Sequence, residues 1–224
     1  MKFDEVLSDK VRQRKSAPEM VADVLRQAIL RGDLKGGEPL KLDELVAQFG
    51  VSRIPLREAF KQLEAEDLVT LHAYRGAVVT SLSWQEAQEI CEIRLALEAT
   101  AVRLAISNAN EVALKQAQSI LEKLENELDV NLWGEMNWEF HAALYTPADR
   151  PRLMNMLKNL HNNLDRYMRL ELSVMHHQSQ SQQEHWAILR AYSQHQTEMA
   201  VHLIEQHIEA GGKLLVNYLK EAHL

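Results

Sequence analysis

The chain has 224 residues, of which 46% are hydrophobic and 25% are charged, an ordinary composition for a globular protein of one or two domains. No apolar run approaches the roughly 18 residues that a membrane span needs, and the N-terminus lacks the apolar segment of a secretory signal. A single cysteine, Cys91, excludes an internal disulfide framework, and its apolar neighbours predict a small core residue. These features predict a cytoplasmic protein without a membrane partner.

The net charge of -7 is unevenly distributed along the chain. Residues 1–80 hold 13 basic and 13 acidic side chains, whereas residues 81–224 hold 12 basic and 19 acidic ones. The acidic excess therefore belongs to the second part, and it does not exclude nucleic-acid binding by the first. At the start, residues 1–15 mix charges without periodicity and predict a flexible arm.

The pattern after this arm predicts three helices and two short strands. Ser16 and Glu19 form a capping box before the first helix, and Ser52 is the expected cap of the third. The two strands flank a turn that contains Gly76. This order is that of a winged helix-turn-helix domain, which we place at residues 16–81.

The third predicted helix carries a straight row of positive charge. Arg53, Arg57 and Lys61 recur every four residues and therefore share one face, opposite the apolar face that would pack on the first two helices. Such a row can enter a major groove, where Arg and Lys reach phosphates and guanine edges. A solvated amphipathic helix would show the same spacing, so the row alone leaves both interpretations open.

The sequence around the row is more specific than its charges. Residues 50–69, GVSRIPLREAFKQLEAEDLV, resemble the recognition-helix signature of the GntR family of bacterial transcription regulators. The resemblance implies that Arg53 and Arg57 make the main DNA contacts, with Ser52 and Lys61 on phosphates. Further contacts at the groove edge are expected from the wing, at His72, Arg75 and Gly76.

Residues 82–224 predict a second domain that is entirely helical. Ser83 and Glu86 form a capping box at its start, and helical periodicity continues from there without a strand pattern. The predicted helices cover residues 84–107, 110–129, 131–145, 150–174, 180–193 and 197–222. We therefore expect a mainly α protein whose C-terminal part is an antiparallel bundle of six, or by another count seven, helices. For the pair Gly211-Gly212 within the last helix, the sequence suggests no explanation except close packing against a neighbouring helix.

Three histidines on different predicted helices have apolar neighbours: His141, His185 and His207. Asn137 precedes His141 by one helical turn. Imidazoles from three helices of a bundle can converge on one divalent cation. Buried histidines that only form hydrogen bonds would have the same spacing, so a metal is one of two interpretations. The other histidines, including His161, are interpreted as loop or polar-face residues.

These four positions also resemble the ligand-binding domain of FadR-type GntR regulators. In many members the motifs (D/N)-x-x-x-H, E-H and H-I bind a divalent metal, and Asn137, His141, His185 and His207 match them one by one. The resemblance implies one divalent ion per chain, and the helix count is similar to that of the VanR subgroup. Imidazole ligands without a thiolate favour zinc as the main occupant and nickel as the second. Asparagine adds no charge where many relatives have aspartate. The metal therefore keeps its full positive charge, which favours binding of an anion.

The resemblance further implies an acidic effector near Arg94. Arg94 and Glu98 are also spaced as an ordinary helical ion pair, and this second interpretation stays open. Weaker candidates for the lining of an effector site are Tyr145, Asn163, Tyr167 and Tyr192.

The expected protein is a bacterial transcription regulator, in the first place a repressor, and not an enzyme. A homodimer, held by the helical domain, would bind a near-palindromic operator in double-stranded DNA. A small carboxylate, bound through the metal, would change operator affinity. Two alternatives are a sensor whose effector is the metal itself and a metal-dependent enzyme with a DNA-binding appendage. Against the enzyme, no general-base carboxylate stands out beside the expected ligands.

Overall fold

The computed structural model describes residues 16–72, 76–175 and 178–222, and the chain divides into two units between Ser81 and Leu82. The predicted arm and Arg75 of the wing lie outside the described residues. Among the helices that are described, none combines the length and the apolar character that a membrane crossing requires.

The first unit contains three helices and a small antiparallel sheet. They are α1 (Ala17–Leu30), β1 (Pro39–Leu40), α2 (Leu42–Phe49), α3 (Arg53–Glu64), β2 (Val69–His72) and β3 (Gly76–Val79). The predicted capping box of Ser16 and Glu19 is present on α1. Ser52 occupies the N-cap position of α3, but its side chain makes no capping hydrogen bond, so the expectation of a side-chain cap is wrong. The exposed hydroxyl of Ser52 therefore remains available to a ligand of the helix N-terminus.

The sheet has the strand order β1-β3-β2, with one strand more than the sequence predicted. Pro39 pairs with Val78, and Leu40 pairs with Ala77. Two residues are too few to show a strand period, and they follow a stretch rich in glycine that reads as a loop. A proline is tolerated here because β1 is an edge strand, whose open side needs no donor.

Gly76, the first residue of β3, lies against the main chain of β1. Its φ is +96°, and a Cβ at this position would overlap the carbonyl oxygen of Leu40 and lie 3.4 Å from the nitrogen of Leu42. Both obstacles are main chain and cannot turn away as a side chain could. Strand β1 thereby joins the base of the wing to the start of α2.

Buried apolar side chains hold α3 with one face inward. Leu56, Phe60 and Leu63 on α3 are at most 2% exposed, and they pack with Leu25 and Ile29 of α1 in one core. Burial of these residues fixes the rotation of α3 about its axis. The opposite face, which carries the row of cations, is left toward solvent.

The described part of the second unit is all helical, which confirms the predicted mainly α fold. Its helices are α4 (Trp84–Ile106), α5 (Glu111–Leu124), α6 (Val130–Tyr145), α7 (Pro151–Met175), α8 (Gln178–Ser193) and α9 (Thr197–Glu221), with a 3₁₀ turn at Thr146–Ala148. The helix predicted to reach residue 129 ends at Leu124 instead. The next helix begins after Asp129, whose side chain accepts a hydrogen bond from the backbone N–H of Asn131 and caps α6.

Gly211 and Gly212 differ in what stands beside them. A Cβ on Gly212 would lie 2.9 Å from Sγ and 3.1 Å from Cβ of Cys91, on α4. A Cβ on Gly211 would meet only the terminal methyl group of Met168, at 3.4 Å. Gly212 thus allows α9 to lie against α4, and the partly buried Cys91 is a packing residue, as predicted.

Alanine at these two glycines should act in opposite directions. We expect Gly212→Ala to destabilise the fold by about 1–3 kcal/mol, because Cys91 lies on a packed helix and cannot move aside freely. Gly211→Ala should be neutral or stabilising by up to about 1 kcal/mol, because helix propensity rises and Met168 is flexible. Urea unfolding of the two variants tests this. Equal stability of both would contradict the proposed packing role of Gly212.

Candidate functional site

The exposed face of α3 carries the predicted DNA-binding residues. Ser52, Arg53, Arg57 and Lys61 are all exposed. Arg53 donates through Nε and Nη2 to Oδ1 of Asp43 on α2, at 3.0 and 2.7 Å. Both side chains of this ion pair are more than 60% exposed, so its net stabilisation is small and a phosphate or base could displace Asp43.

Of the three residues predicted for the wing, the structure describes His72 and Gly76. His72 is exposed at the end of β2 and pairs with Gly76 across the hairpin. Gly76 is explained by its main-chain surroundings, whether or not it touches DNA. Arg75 lies outside the described residues, so its predicted contact stays a prediction.

The second unit brings His141, His185 and His207 together from α6, α8 and α9. One ligand atom of each lies within 4.8 Å of the others. Nε2 of His185 is 3.3 Å from Nε2 of His207. Two nitrogens bound to one tetrahedral zinc, each at about 2.0–2.1 Å, would be separated by about 3.4 Å. The spacing of these two nitrogens therefore fits a shared ion.

Hydrogen bonds on the outer side of the rings orient them toward this centre. Nδ1 of His207 lies 2.7 Å from a carboxylate oxygen of Glu184, which can only accept. Nδ1 of His141 lies 3.1 Å from the hydroxyl of Tyr145. Nε2 of His141 and Oδ1 of Asn137 are buried without a hydrogen-bond partner. Because unsatisfied buried polar atoms are costly, these two atoms fit a site that accepts a cation.

The protonation states also suit a metal. Burial lowers the pKa of His141 and of His185 well below the usual 6.5, and His207 lowers both pKa values further. Both rings are therefore neutral at pH 7, the form that binds metal. Burial, and next the charge of Glu98, raise the pKa of Tyr145 well above 10, so its hydroxyl keeps its proton.

A cavity of about 50 Å³ lies beside the cluster. This space holds only a few water-sized groups, so it admits a small molecule. Its wall combines ionisable and polar side chains from four helices. They are Arg94, Asn137, His141, His161, Asp165 and His207.

Two of the residues predicted for an effector form a buried ion pair. Arg94 donates to Oε1 of Glu98 through Nε at 2.8 Å, and its Nη2 lies 2.7 Å from the same oxygen in an ion pair. Both are buried, so the ion-pair interpretation left open by the sequence is correct. Arg94 also lines the cavity, and the two interpretations are therefore compatible.

The other predicted effector residues do not line this cavity. Tyr145 lies behind His141 and donates to Glu98. Tyr192 is in the core and donates to the carbonyl oxygen of Leu144. Tyr167 accepts from the backbone N–H of Leu82 in a separate apolar cluster. Asn163 has a buried carbonyl oxygen with no hydrogen-bond partner among the described residues, away from the cavity wall.

The sequence did not predict His161, Asp165 and Glu184 as residues of the site. His161 is only 7% exposed and lies 3.7 Å from Asp165, so its assignment to a polar face is wrong. His161, Leu164, Asp165 and Met168 share a helical face, and this spacing could have revealed it. Glu184, which bonds His207, has no signal beyond its position next to His185.

A winged helix-turn-helix unit joined to an all-helical unit is the architecture of a DNA-binding transcription regulator. Residues 17–79 match the gntR family of bacterial regulatory proteins, and residues 89–210 match the FCD domain. The chain belongs to the GntR family of bacterial regulators that carry an FCD domain, and it is not an enzyme.

Individual relatives agree with this assignment. The HTH-type transcriptional repressor GlaR of Escherichia coli K12 is 31% identical over 196 residues, 82% of this chain and 89% of that one. The HTH-type regulator YdhC of Bacillus subtilis 168 is 33% identical over 150 residues, which span 65% of this chain and 66% of YdhC. A GntR-family crystal structure from Pseudomonas syringae pv. tomato DC3000 has 36% identity and a TM-score of 0.60, covering 92% of this chain and 87% of that one.

Proposed function

We propose that this chain is a homodimeric repressor of bacterial transcription whose operator affinity responds to a small carboxylate bound beside a divalent metal. The observation that carries this proposal is the convergence of three imidazoles beside a small cavity, which two of them, His141 and His207, line together with Arg94. The repressor assignment is supported by the relative GlaR, which is named as one. As a DNA-binding regulator of bacterial genes, it would act in the cytoplasm.

The residues that would hold the ion are His141, His185 and His207, with Asn137 as a fourth, weaker ligand. All four are neutral donors, so a bound divalent ion would add its full positive charge to the cavity. Imidazole ligands favour zinc or nickel over manganese, and none of the four donors is a thiolate. Arg94 adds a second positive group to the same wall. Because Glu98 already pairs with Arg94 and Asp165 adds a carboxylate to the same wall, the bound ion would supply most of the attraction for an anion, and the cavity volume supports a small one.

The first unit would bring two α3 helices to successive major grooves of a near-palindromic operator. Arg53 and Arg57 would reach base edges, whereas Ser52 and Lys61 would hold phosphates. The wing, at His72, Gly76 and the undescribed Arg75, would add contacts at the groove edge. If the effector changes operator affinity by some factor, the operator must change effector affinity by the same factor.

The test begins with an operator selected from a random duplex pool by the full-length protein. Fluorescence anisotropy then measures operator affinity with zinc and with a panel of small mono- and dicarboxylates. We expect at least one acid to change the affinity at constant zinc. If zinc alone changes it and no acid does, the protein is a metal sensor, the second candidate that the histidine cluster supports. No selected operator would contradict the DNA-binding role.

Replacing Arg94 by lysine should weaken the acid response by about tenfold, because lysine keeps the charge beside Glu98 but loses the planar fork that binds a carboxylate. Lysine is preferable to an apolar residue, which would leave Glu98 buried and unpaired. The measurement is the thermal shift of zinc-loaded protein on titration with the panel. Arg103→Lys, on the same helix and 48% exposed, is the matched control. If the Arg94→Lys and Arg103→Lys variants respond equally to the acids, Arg94 serves only the ion pair with Glu98.

A further inference from the structure

A continuous chain of hydrogen bonds joins the cavity wall to His141. Arg94 donates to Oε1 of Glu98, and Tyr145 donates to Oε2 of Glu98 at 2.5 Å. The oxygen of Tyr145 lies 3.1 Å from Nδ1 of His141. All four side chains are at most 8% exposed. Two residues come from α4 and two from α6, each pair spaced by one helical turn.

The direction of every bond in this chain is fixed at its Arg94 end. A guanidinium can only donate, and the carboxylate beside it can only accept. The hydroxyl of Tyr145 must therefore give its single proton to Glu98. Its oxygen is then an acceptor, so Nδ1 of His141 must carry the proton of the neutral ring. The lone pair is left on Nε2, the buried atom without a hydrogen-bond partner.

We propose that Tyr145 is a positioning residue that holds His141 in the tautomer able to bind a metal through Nε2, and that Arg94 and Glu98 fix the direction in which Tyr145 acts. This inference rests on the proposed metal site. Because Arg94 also lines the cavity, an acid that engages its guanidinium there acts on the group that orients His141. Metal and acid would thereby affect each other's affinity through named bonds.

Two substitutions separate this role from simple packing. In Tyr145→Phe the ring remains, but His141 loses its acceptor and neither tautomer is selected. In Glu98→Gln the carbonyl must face Arg94, so the amide donates toward Tyr145. The hydroxyl of Tyr145 then donates to Nδ1 of His141, and the proton moves to Nε2, where it blocks the metal. Glu98→Gln should therefore weaken metal binding more than Tyr145→Phe does, although Glu98 is farther from the metal.

The matched control is Tyr192→Phe. Tyr192 is also fully buried and also loses one hydrogen bond, to the carbonyl oxygen of Leu144, but it lies outside this chain of bonds. Zinc affinity is measured by chelator competition. We expect Tyr145→Phe to bind zinc about 10–100-fold more weakly than the wild type, as for other outer partners of ligand histidines, and Tyr192→Phe to change little. Glu98→Gln should bind zinc more weakly than Tyr145→Phe does.

A second readout needs no metal. Long-range proton–nitrogen NMR of ¹⁵N-histidine in the metal-free protein, with His141 assigned by its substitution to asparagine, reports which ring nitrogen carries the proton. We expect Nδ1–H in the wild type and Nε2–H in Glu98→Gln. An Nε2–H ring in the wild type would overturn the inference, as would equal zinc affinity of the Tyr145 and Tyr192 variants. A wild type that binds no zinc would refute the proposed metal site, while the NMR would still decide the tautomer.

Discussion

Protein purified without chelators should contain close to one equivalent of a divalent transition ion per chain, with zinc the main occupant and nickel the second. His207→Ala should lower zinc affinity by more than about 100-fold, because one of three imidazole ligands is removed and the outer partners of ligands alone contribute 10–100-fold. Asn137→Asp should raise it, because a carboxylate adds a negative ligand. Elemental analysis and chelator competition measure both effects.

The control for this experiment is His202→Ala, an exposed histidine on the same helix α9. Because burial lowers the pKa of His141 and His185, protons compete for these two rings only well below pH 6.5. Zinc affinity should therefore decline less steeply between about pH 7 and 6 than it would for ordinary imidazoles. Less than a tenth of an equivalent of metal, with no uptake of added zinc or nickel, would show that the histidines serve only the core.

Arg57→Ala should weaken operator binding by about 1–3 kcal/mol and relax the preference at one base pair of each half-site, as expected for an arginine that reads a guanine. Lys61→Ala should weaken binding to all sequences alike and reduce the salt dependence by about one counterion. Anisotropy titrations at several salt concentrations on the selected operator distinguish the two patterns.

Lys115→Ala is the charge-matched control, since it removes one exposed cation from the helical unit. Asp43→Asn tests Arg53 separately. The variant frees Arg53 from its partner and removes a negative charge beside α3, so operator affinity should be unchanged or higher. If Arg57→Ala binds the operator as tightly as Lys115→Ala does, the recognition role of Arg57 is refuted.

Short-range signals explain which parts of the fold could be predicted from the sequence. The capping boxes at Ser16 and Ser83 mark helix starts with two hydrogen bonds each, and both are present. The end of α5 was missed because neither glycine nor proline stands between Leu124 and Asp129, which caps the next helix. Strand β1 was missed because its pairing is decided by residues near position 78, far away in the chain.

In the site, too, local spacing could be predicted from the sequence, whereas contacts between helices could not. Helical spacing and motif resemblance brought together His141, His185 and His207, because each lies on a regular apolar face. Tyr192 has the same kind of spacing, but it points into the core, and only the packing of neighbouring helices decides that. Glu184 could not be recognised because its partner is on another helix, 23 residues later.

The contact of Gly76 with β1 limits where regulation can act. The main chain of Leu40 and Leu42 lies against Gly76 at the base of the wing and leads directly into α2. The hairpin and the helix-turn-helix are therefore held together as one rigid unit. An effector could not change the angle between the wing and α3 without breaking this contact. In the proposed dimeric repressor, an effector would therefore have to move each DNA-binding unit as a whole, and the separation of the two units on the operator would be the quantity that it changes.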